Sequence, residues 1–311
     1  MASTELKLSV GHEKTCDCPI NHLNCMNAKN WIKSQIGVWE VDVDSTEDDL
    51  NAIWEFYYER RDVRDKKIHP AVFPVNLAKK VIEVFSHKGQ LVLDPFMGIG
   101  TTLLAARDLD RNAVGFDINE KYVEFTKKRL EQASPLGSTK QFAVVDDASN
   151  INRYLDKETV SLVFTSPPYA NLLNRPRLNK SRRGELRENE QYLKVEQYSQ
   201  DPRDLGTMNT EKYANEIKLI FQGILPLMKP KSHAVINVPD IWSNAVPHGK
   251  RIPMHIYVYH AMIEAGFELR NTIIWNRNNI VNKIGIFGWP SNYITMGTTF
   301  EFLMDFWRPP S

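Results

Sequence analysis

Cysteine is scarce in this chain and confined to one window. All three residues, Cys16, Cys18 and Cys25, lie close together, near His12 and His22. Three thiols in a chain this long do not make a disulfide framework, which belongs to small secreted domains. The spacing C-x-C-x6-C also fails to match the usual paired C-x2-C pattern of zinc sites. That leaves two readings open, a metal-ligating cluster or three reduced thiols on a polar arm. Long hydrophobic runs are missing: nothing approaches the roughly 18 consecutive apolar residues of a membrane span, and the opening MASTELKLSV has no apolar signal-peptide segment. A cytoplasmic protein with no membrane partner is therefore expected. Net charge is lacking too. With 39 basic and 38 acidic residues, any anion-binding surface has to be local. The chain carries neither an internal repeat nor a low-complexity tract.

What is present suffices for one large core. At 42% hydrophobic residues over 311 positions, the chain has material for a single α/β domain with inserted loops and appendages. Residues 1–30 are polar and weakly periodic. An aromatic-rich stretch follows, with Trp31, Trp39, Trp54, Phe56, Tyr57 and Tyr58 divided by the acidic run from Asp42 to Asp49. Leu50 to Arg60 reads as a helix whose aromatics pack on the domain. Pro74 reads as the first residue of an amphipathic helix, with Val75, Leu77, Ala78, Val81, Ile82 and Phe85 along its apolar face. From Gln90 onward, strand patterns over 90–94, 112–117, 141–146, 160–164, 232–238, 268–275 and 300–307 alternate with helical ones. This alternation predicts an α/β fold with a doubly wound, mostly parallel sheet of seven strands.

The stretch that concentrates chemistry is Thr165-Ser166-Pro167-Pro168-Tyr169. It follows the buried strand pattern Val160 to Phe164, and two successive prolines end the strand because neither can donate to a ladder. A stiff corner at the carboxyl end of a parallel strand is where open α/β sheets place ligands. This one offers a hydroxyl, an aromatic face and carbonyls, which suit a flat, hydrogen-bonding substrate. Taken alone, it also reads as an ordinary turn.

A second turn, Asp94-Pro95-Phe96-Met97-Gly98-Ile99-Gly100-Thr101-Thr102, joins the first regular strand to its helix. Its glycines permit a tight turn with a ligand against the backbone, and Thr101 or Thr102 can cap the helix. Leu103 stands where the dinucleotide fingerprint needs its third glycine, and no P-loop lysine is present, so a cofactor without a pyrophosphate is favoured. Asp117 ends the second strand, where such folds set a carboxylate against ribose hydroxyls. Asp146 and Asp147 end the third, where a carboxylate can accept from an adenine amino group. Each acid could also be a helix cap.

These motifs together, with Ile68-His69-Pro70-Ala71-Val72-Phe73-Pro74 just upstream, resemble the S-adenosylmethionine-dependent amino-methyltransferases of DNA. The resemblance covers roughly residues 66–307. It implies a Rossmann-like methyltransferase fold and assigns the Asp94–Thr102 motif, including Pro95, Phe96, Gly98, Gly100, Thr101 and Thr102, to the methionine part of the cofactor. It assigns Asp117 to the ribose and Asp147 to the adenine. His69, Pro70, Phe73 and Pro74 would complete the methionine pocket, and Ser166, Pro167, Pro168 and Tyr169 would be the catalytic corner. In this family S-P-P-Y usually accompanies methylation of cytosine N4, and D-P-P-Y adenine N6. Methylation at cytosine C5 would require a nucleophilic cysteine, and no cysteine stands near the corner. Direct transfer to an amino group needs no metal.

The expected organisation is an N-terminal arm and aromatic helical segment (1–65) before a methyltransferase domain (66–311). Within that domain, a cofactor half (66–150) precedes a catalytic half (151–311). With only 32 residues between Trp275 and Arg308, a separate large recognition domain is not expected there, and the insertions 170–209 and 276–299 are expected to meet double-stranded DNA. The first carries Arg175, Arg177, Lys180, Arg182, Arg183 and Arg187 against Glu185 alone, a run suited to phosphates. In the second, Arg277, Asn278 and Lys283 could read base edges or be turn residues. The resemblance further implies base flipping, a restriction-modification context and a cognate restriction endonuclease acting on the same site. The alternatives are adenine N6 methylation of DNA, methylation of RNA or of a protein glutamine, and a catalytically inactive DNA-binding protein of the same fold.

Overall fold

The computed structural model describes residues 6–18, 23–35, 53–55, 69, 72–132, 138–172, 201–243, 250–277 and 300–310. The strands are β1 (Ile53–Glu55), β2 (Leu91–Asp94), β3 (Asn112–Asp117), β4 (Gln141–Val145), β5 (Val160–Thr165), β6 (Met228–Val238), β7 (Ile241–Ser243), β8 (Lys250–Ile252), β9 (Glu268–Asn276) and β10 (Phe300–Trp307). The helices are α1 (Ala28–Gln35), α2 (Val75–Phe85), α3 (Thr101–Asp108), α4 (Glu120–Gln132), α5 (Thr210–Ile224) and α6 (Met254–Glu264).

Eight strands form one sheet in the order β1-β9-β10-β6-β5-β2-β3-β4, and β7 pairs with β8 in a separate hairpin. β10 runs antiparallel to both its neighbours, and the other pairings in the sheet are parallel. All seven expected strands are present. The fold is a doubly wound, mostly parallel α/β sheet. Its order reverses between β2 and β5, where the chain leaves in opposite directions and a crevice opens beyond the carboxyl ends.

Alternation along the strands sorts the core onto two faces. Val92, Leu162, Phe164 and Val235 face α2 and α3. Leu91, Leu93, Val163, Ala234 and Ile236 face α5 and α6. Helix entry follows local chemistry. Asn209 caps α5 by accepting from Lys212 N at 2.9 Å, whereas Pro74 stands just before α2 as its cap rather than as its first helical residue.

The expected helix over Leu50 to Arg60 is corrected at its centre, because Ile53–Glu55 is a strand paired in parallel with β9, Ile53 opposite Ile274. A β-branched and an aromatic residue at a free sheet edge gain ladder hydrogen bonds that outweigh weak helical periodicity. The polar arm crosses the amino ends of the strands. Leu8 N donates to Tyr154 O at 2.9 Å, Thr15 N to Lys88 O at 2.8 Å, and Lys229 Nζ to Glu13 at 3.0 Å. Leu8, Val10 and Trp31 pack against the core. Among the described residues no helix is long and apolar enough to cross a membrane.

Candidate active site

A cleft opens at the carboxyl ends of β2, β3, β4 and β5, with about 890 Å³ of space including its solvent-open mouth. Its framework is set by Asp94, which is 1% exposed at the end of β2. The carboxylate accepts from Phe96 N at 3.1 Å, Thr102 Oγ1 at 2.6 Å and Thr165 Oγ1 at 2.6 Å. Burial pushes its pKa up to about 6 against the pull of those donors. One carboxylate thus ties the glycine turn, the start of α3 and the residue preceding Ser166. Asp94, Gly100, Thr102 and Pro74 stand behind the cleft wall, whereas Pro95, Phe96, Gly98 and Thr101 line it. The expected threonine cap is corrected: Gly100 is the cap residue of α3, no side chain caps it, and the Thr102 hydroxyl is spent on Asp94.

The two glycines are required for different reasons. Gly98 has φ +51°, and a Cβ there would come within 3.1 Å of His69 Nε2, so its absence lets the imidazole lie on the turn. Gly100 has φ +77°, and a Cβ would meet Thr126 Cγ2 at 2.2 Å. Gly100→Ala combines left-handed strain with overpacking, and should cost about 2–5 kcal/mol. A lowered urea midpoint checks this, and adding Thr126→Ala should restore part of the loss.

Three acids stand where the strands end. Asp117 accepts from Gly98 N at 3.0 Å and Asn119 N at 2.8 Å. Burial, helped by Asp204 and Asp94, raises its pKa to about 7 despite those donors. Asp146 accepts from Tyr154 Oη at 2.6 Å and Asn150 Nδ2 at 2.8 Å. Burial alone would raise its pKa, but these hydrogen bonds and that from Asp147 N hold it below the ordinary value. Asp147 caps a 3₁₀ turn, accepting from Ser149 N at 2.9 Å. All three line the cleft, as do His69 and Phe73. His69 packs edge-on to Tyr122, with ring centroids 4.7 Å apart, and burial lowers its pKa to about 4, so the ring is neutral near pH 7.

On the opposite wall are Ser166, Pro167, Pro168 and Tyr169. Ser166 Oγ lies 2.6 Å from Tyr169 Oη and accepts from Asn237 Nδ2 at 3.3 Å. Asn237 also donates to the buried Glu301 at 2.7 Å, and Glu301 pairs with Arg277. Arg277, which could read base edges or be a turn residue, pairs with Glu301, with its guanidinium 5.2 Å from the Trp275 ring centre. A buried carboxylate draws the nearest cation inward. Pro70, Arg175, Arg177, Lys180, Arg182, Arg183, Arg187, Asn278 and Lys283 lie outside the described residues.

The cleft also takes in Asn119, Tyr122, Arg203 and Asp204, which the sequence reading did not single out. A polar residue in a buried strand was the available signal for Asn237 and Glu301, since each interrupts an apolar run at a sheet end. No comparable signal marked Asp204. It is 3% exposed and caps a 3₁₀ turn by accepting from Gly206 N at 2.7 Å.

Comparison with known proteins bears on the first half of this site. Residues 18–128 match the DNA methylase family. The kinship implied by the motifs, with S-adenosylmethionine-dependent amino-methyltransferases of DNA, is shown on this segment, which holds the glycine turn and Asp117 but ends before Ser166. The type II methyltransferase M.HpaI of Haemophilus parainfluenzae is 38% identical over 79 residues, 25% of each chain. M.HindIII of Haemophilus influenzae is 44% identical over 66 residues, 21% of each. The chain thus spans about a quarter of the length of the curated relatives it matches. Among solved structures, TrmN from Thermus thermophilus is similar at 14% identity and a TM-score of 0.48, covering 78% of this chain and 52% of that one.

The cleft is lined by residues of the DNA methylase segment and of the chain after it, and its chemistry fits S-adenosylmethionine. Asp117, Asp146, Asp147 and Asp204 line it against Arg203, which is itself forked onto Asp201 at 2.7–3.3 Å. Such a wall disfavours a pyrophosphate and favours a cofactor carrying a sulfonium and an ammonium. Gly98 and the Asp117 carboxylate both line this cleft.

Proposed function

We propose that this chain transfers the methyl group of S-adenosylmethionine to the exocyclic N4 of cytosine in duplex DNA. The observation that carries the reading is that Ser166 to Tyr169 line the same cleft as Gly98, Asp117 and Asp147. When bound, S-adenosylmethionine supplies an electrophilic methyl group on a sulfonium. His69, Phe73 and the glycine turn would hold its methionine part, Asp117 its ribose and Asp147 its adenine. The residues of the corner would act by position.

The amino nitrogen of a base is a weak nucleophile because its lone pair is delocalised into the ring. Acceptors on its two hydrogens localise that pair as positive charge develops. Ser166 Oγ and the Pro167 carbonyl would be those acceptors, and the nitrogen sheds a proton to water as it is methylated. Asn237 already occupies one lone pair of Ser166 Oγ, so the serine proton must go to Tyr169 Oη to leave the second lone pair for the base. The same bond would hold the Tyr169 ring, on which an extruded base would stack. Serine at this place supports cytosine over adenine, through the family resemblance.

In this reading residues 66–150 bind the cofactor, 151–311 the base, and the insertions 170–209 and 276–299 the DNA, with a restriction endonuclease of the same specificity as partner in the cytoplasm. Neutralising Arg182 and Arg183 together should weaken binding about equally for cognate and unrelated duplexes and flatten the salt slope by roughly two units. Filter binding across a salt series measures both. Labelled methyl transfer into duplex DNA followed by nucleoside analysis tests the function. N4-methylcytosine is expected, whereas N6-methyladenine would move the substrate to adenine, and no incorporation would leave a DNA-binding protein.

A further inference from the structure

At the opposite end of the sheet from the cleft, the polar arm meets the turn between α2 and β2. Cys16, Cys18, Cys25 and His87 converge there, their ligand atoms all within 4.8 Å of one another. Cys16 Sγ lies 3.3 Å from His87 Nδ1 and 3.4 Å from Cys25 Sγ, and Cys25 Sγ lies 3.5 Å from the same nitrogen. Tetrahedral zinc, with bonds of about 2.3 Å to sulfur and 2.0–2.1 Å to nitrogen, would separate two sulfurs by about 3.8 Å and sulfur from nitrogen by about 3.6 Å. The three separations among Cys16, Cys25 and His87 match those dimensions to within a few tenths of an ångström, and Cys18 Sγ lies within 4.8 Å of the other three ligand atoms. All three thiols are free.

We propose that Cys16, Cys18, Cys25 and His87 bind one zinc ion as a closed structural site. The set of three thiolates and one imidazole is a recognised structural zinc set, and it leaves no open position for substrate or water. Binding expels the thiol protons into solvent, because the thiolate is the ligand. A surrounding shell is in place: Lys88 N donates to Cys25 Sγ at 3.4 Å, which orients that ligand, and Thr15 N is held on Lys88 O at 2.8 Å. His87 is 1% exposed, so its ring is fixed by the domain before any ion arrives. The role follows from what the arm lacks. Residues 11–18 have no large apolar side chain to bury, so a metal clip replaces a hydrophobic anchor and closes a loop of more than 60 residues between arm and sheet. Of the two histidines near the cysteines in sequence, His12 instead pairs with Glu13 at 3.3 Å, and His22 lies outside the described residues.

The test uses the full-length protein, purified without chelator from zinc-supplemented medium. Mass spectrometry of metals should find about one zinc per chain, the stoichiometry of a four-ligand site. Protein stripped with chelator should melt at a lower temperature and regain stability with zinc chloride alone. Cobalt chloride added to stripped protein should give thiolate charge-transfer absorption and the intense visible bands of tetrahedral cobalt. Cys16→Ser should lower zinc content at least about tenfold. His87→Cys, which preserves four ligands, should retain it even if His87→Ala does not fold. Metal-free wild-type protein with no cobalt spectrum would overturn the proposal. So would a Cys16–Cys25 disulfide in freshly purified protein, or full zinc content in Cys16→Ser.

Discussion

Replacing Ser166 by alanine should lower single-turnover methyl transfer by roughly 10²–10³-fold, the usual cost of removing one positioned group that stabilises developing charge. The dissociation constant for S-adenosylmethionine should stay within about twofold, because an interaction made only with the reacting base is lost from turnover and not from cofactor binding. Ser166 Oγ touches Tyr169 Oη and Asn237 Nδ2, and the alanine leaves both without that partner. The Tyr169 hydroxyl then loses its hydrogen bond to Ser166, so base affinity should fall together with turnover. Asn237→Ala should give a smaller loss, about tenfold, because it acts by orienting Ser166. Calorimetry and rapid-quench transfer on the same preparations separate these effects. If Ser166→Ala abolished cofactor binding, the serine would belong to the cofactor wall, and undiminished turnover would remove the corner from the chemistry.

Cofactor affinity should depend on pH through Asp117. Its pKa in the folded chain is raised from 3.8 to about 7, first by burial and then by Asp204 and Asp94. For the protein without cofactor, the folded state holds this proton more tightly than the unfolded chain does. The corresponding stability is complete below about pH 4 and is lost as pH rises through about 7. Ribose hydroxyls donating to the carboxylate favour its ionised form, so below pH 7 binding must also expel a proton. The dissociation constant should therefore rise by up to about tenfold per pH unit below 7 and level off above it. Asp117→Asn should weaken binding by about 1–3 kcal/mol at pH 8 and remove the pH dependence. Calorimetry in buffers of different ionisation enthalpy counts the proton directly. A flat profile in the wild type, with no proton released, would mean that Asp117 serves the turn through Gly98 N and Asn119 N and does not meet the ribose.

The seven expected strands, the glycine turn and the proline corner were legible in the sequence because their causes are local. Period-two burial, a positive φ and a missing N–H are properties of a few adjacent residues. The placement of acids at strand ends was legible for the same reason, since a strand pattern also says where the strand stops. What each acid does was not. Asp94 sits in the turn assigned to the cofactor, yet tertiary structure spends its oxygens on Thr102, Thr165 and Phe96 N. Likewise Ile53–Glu55 is a strand because the edge of β9 is available to pair with it, which no local window contains. Three contacts that organise the molecule, Asp94 with Thr165, Ser166 with Asn237, and Cys16 with His87, each join positions 71 residues apart. Sequence determined the ends of these contacts as residue types suited to hydrogen bonding or ligation. Their partners were decided by the order of the strands in the sheet, which brings the carboxyl ends of β2, β5 and β6 side by side and lays the arm across the amino ends.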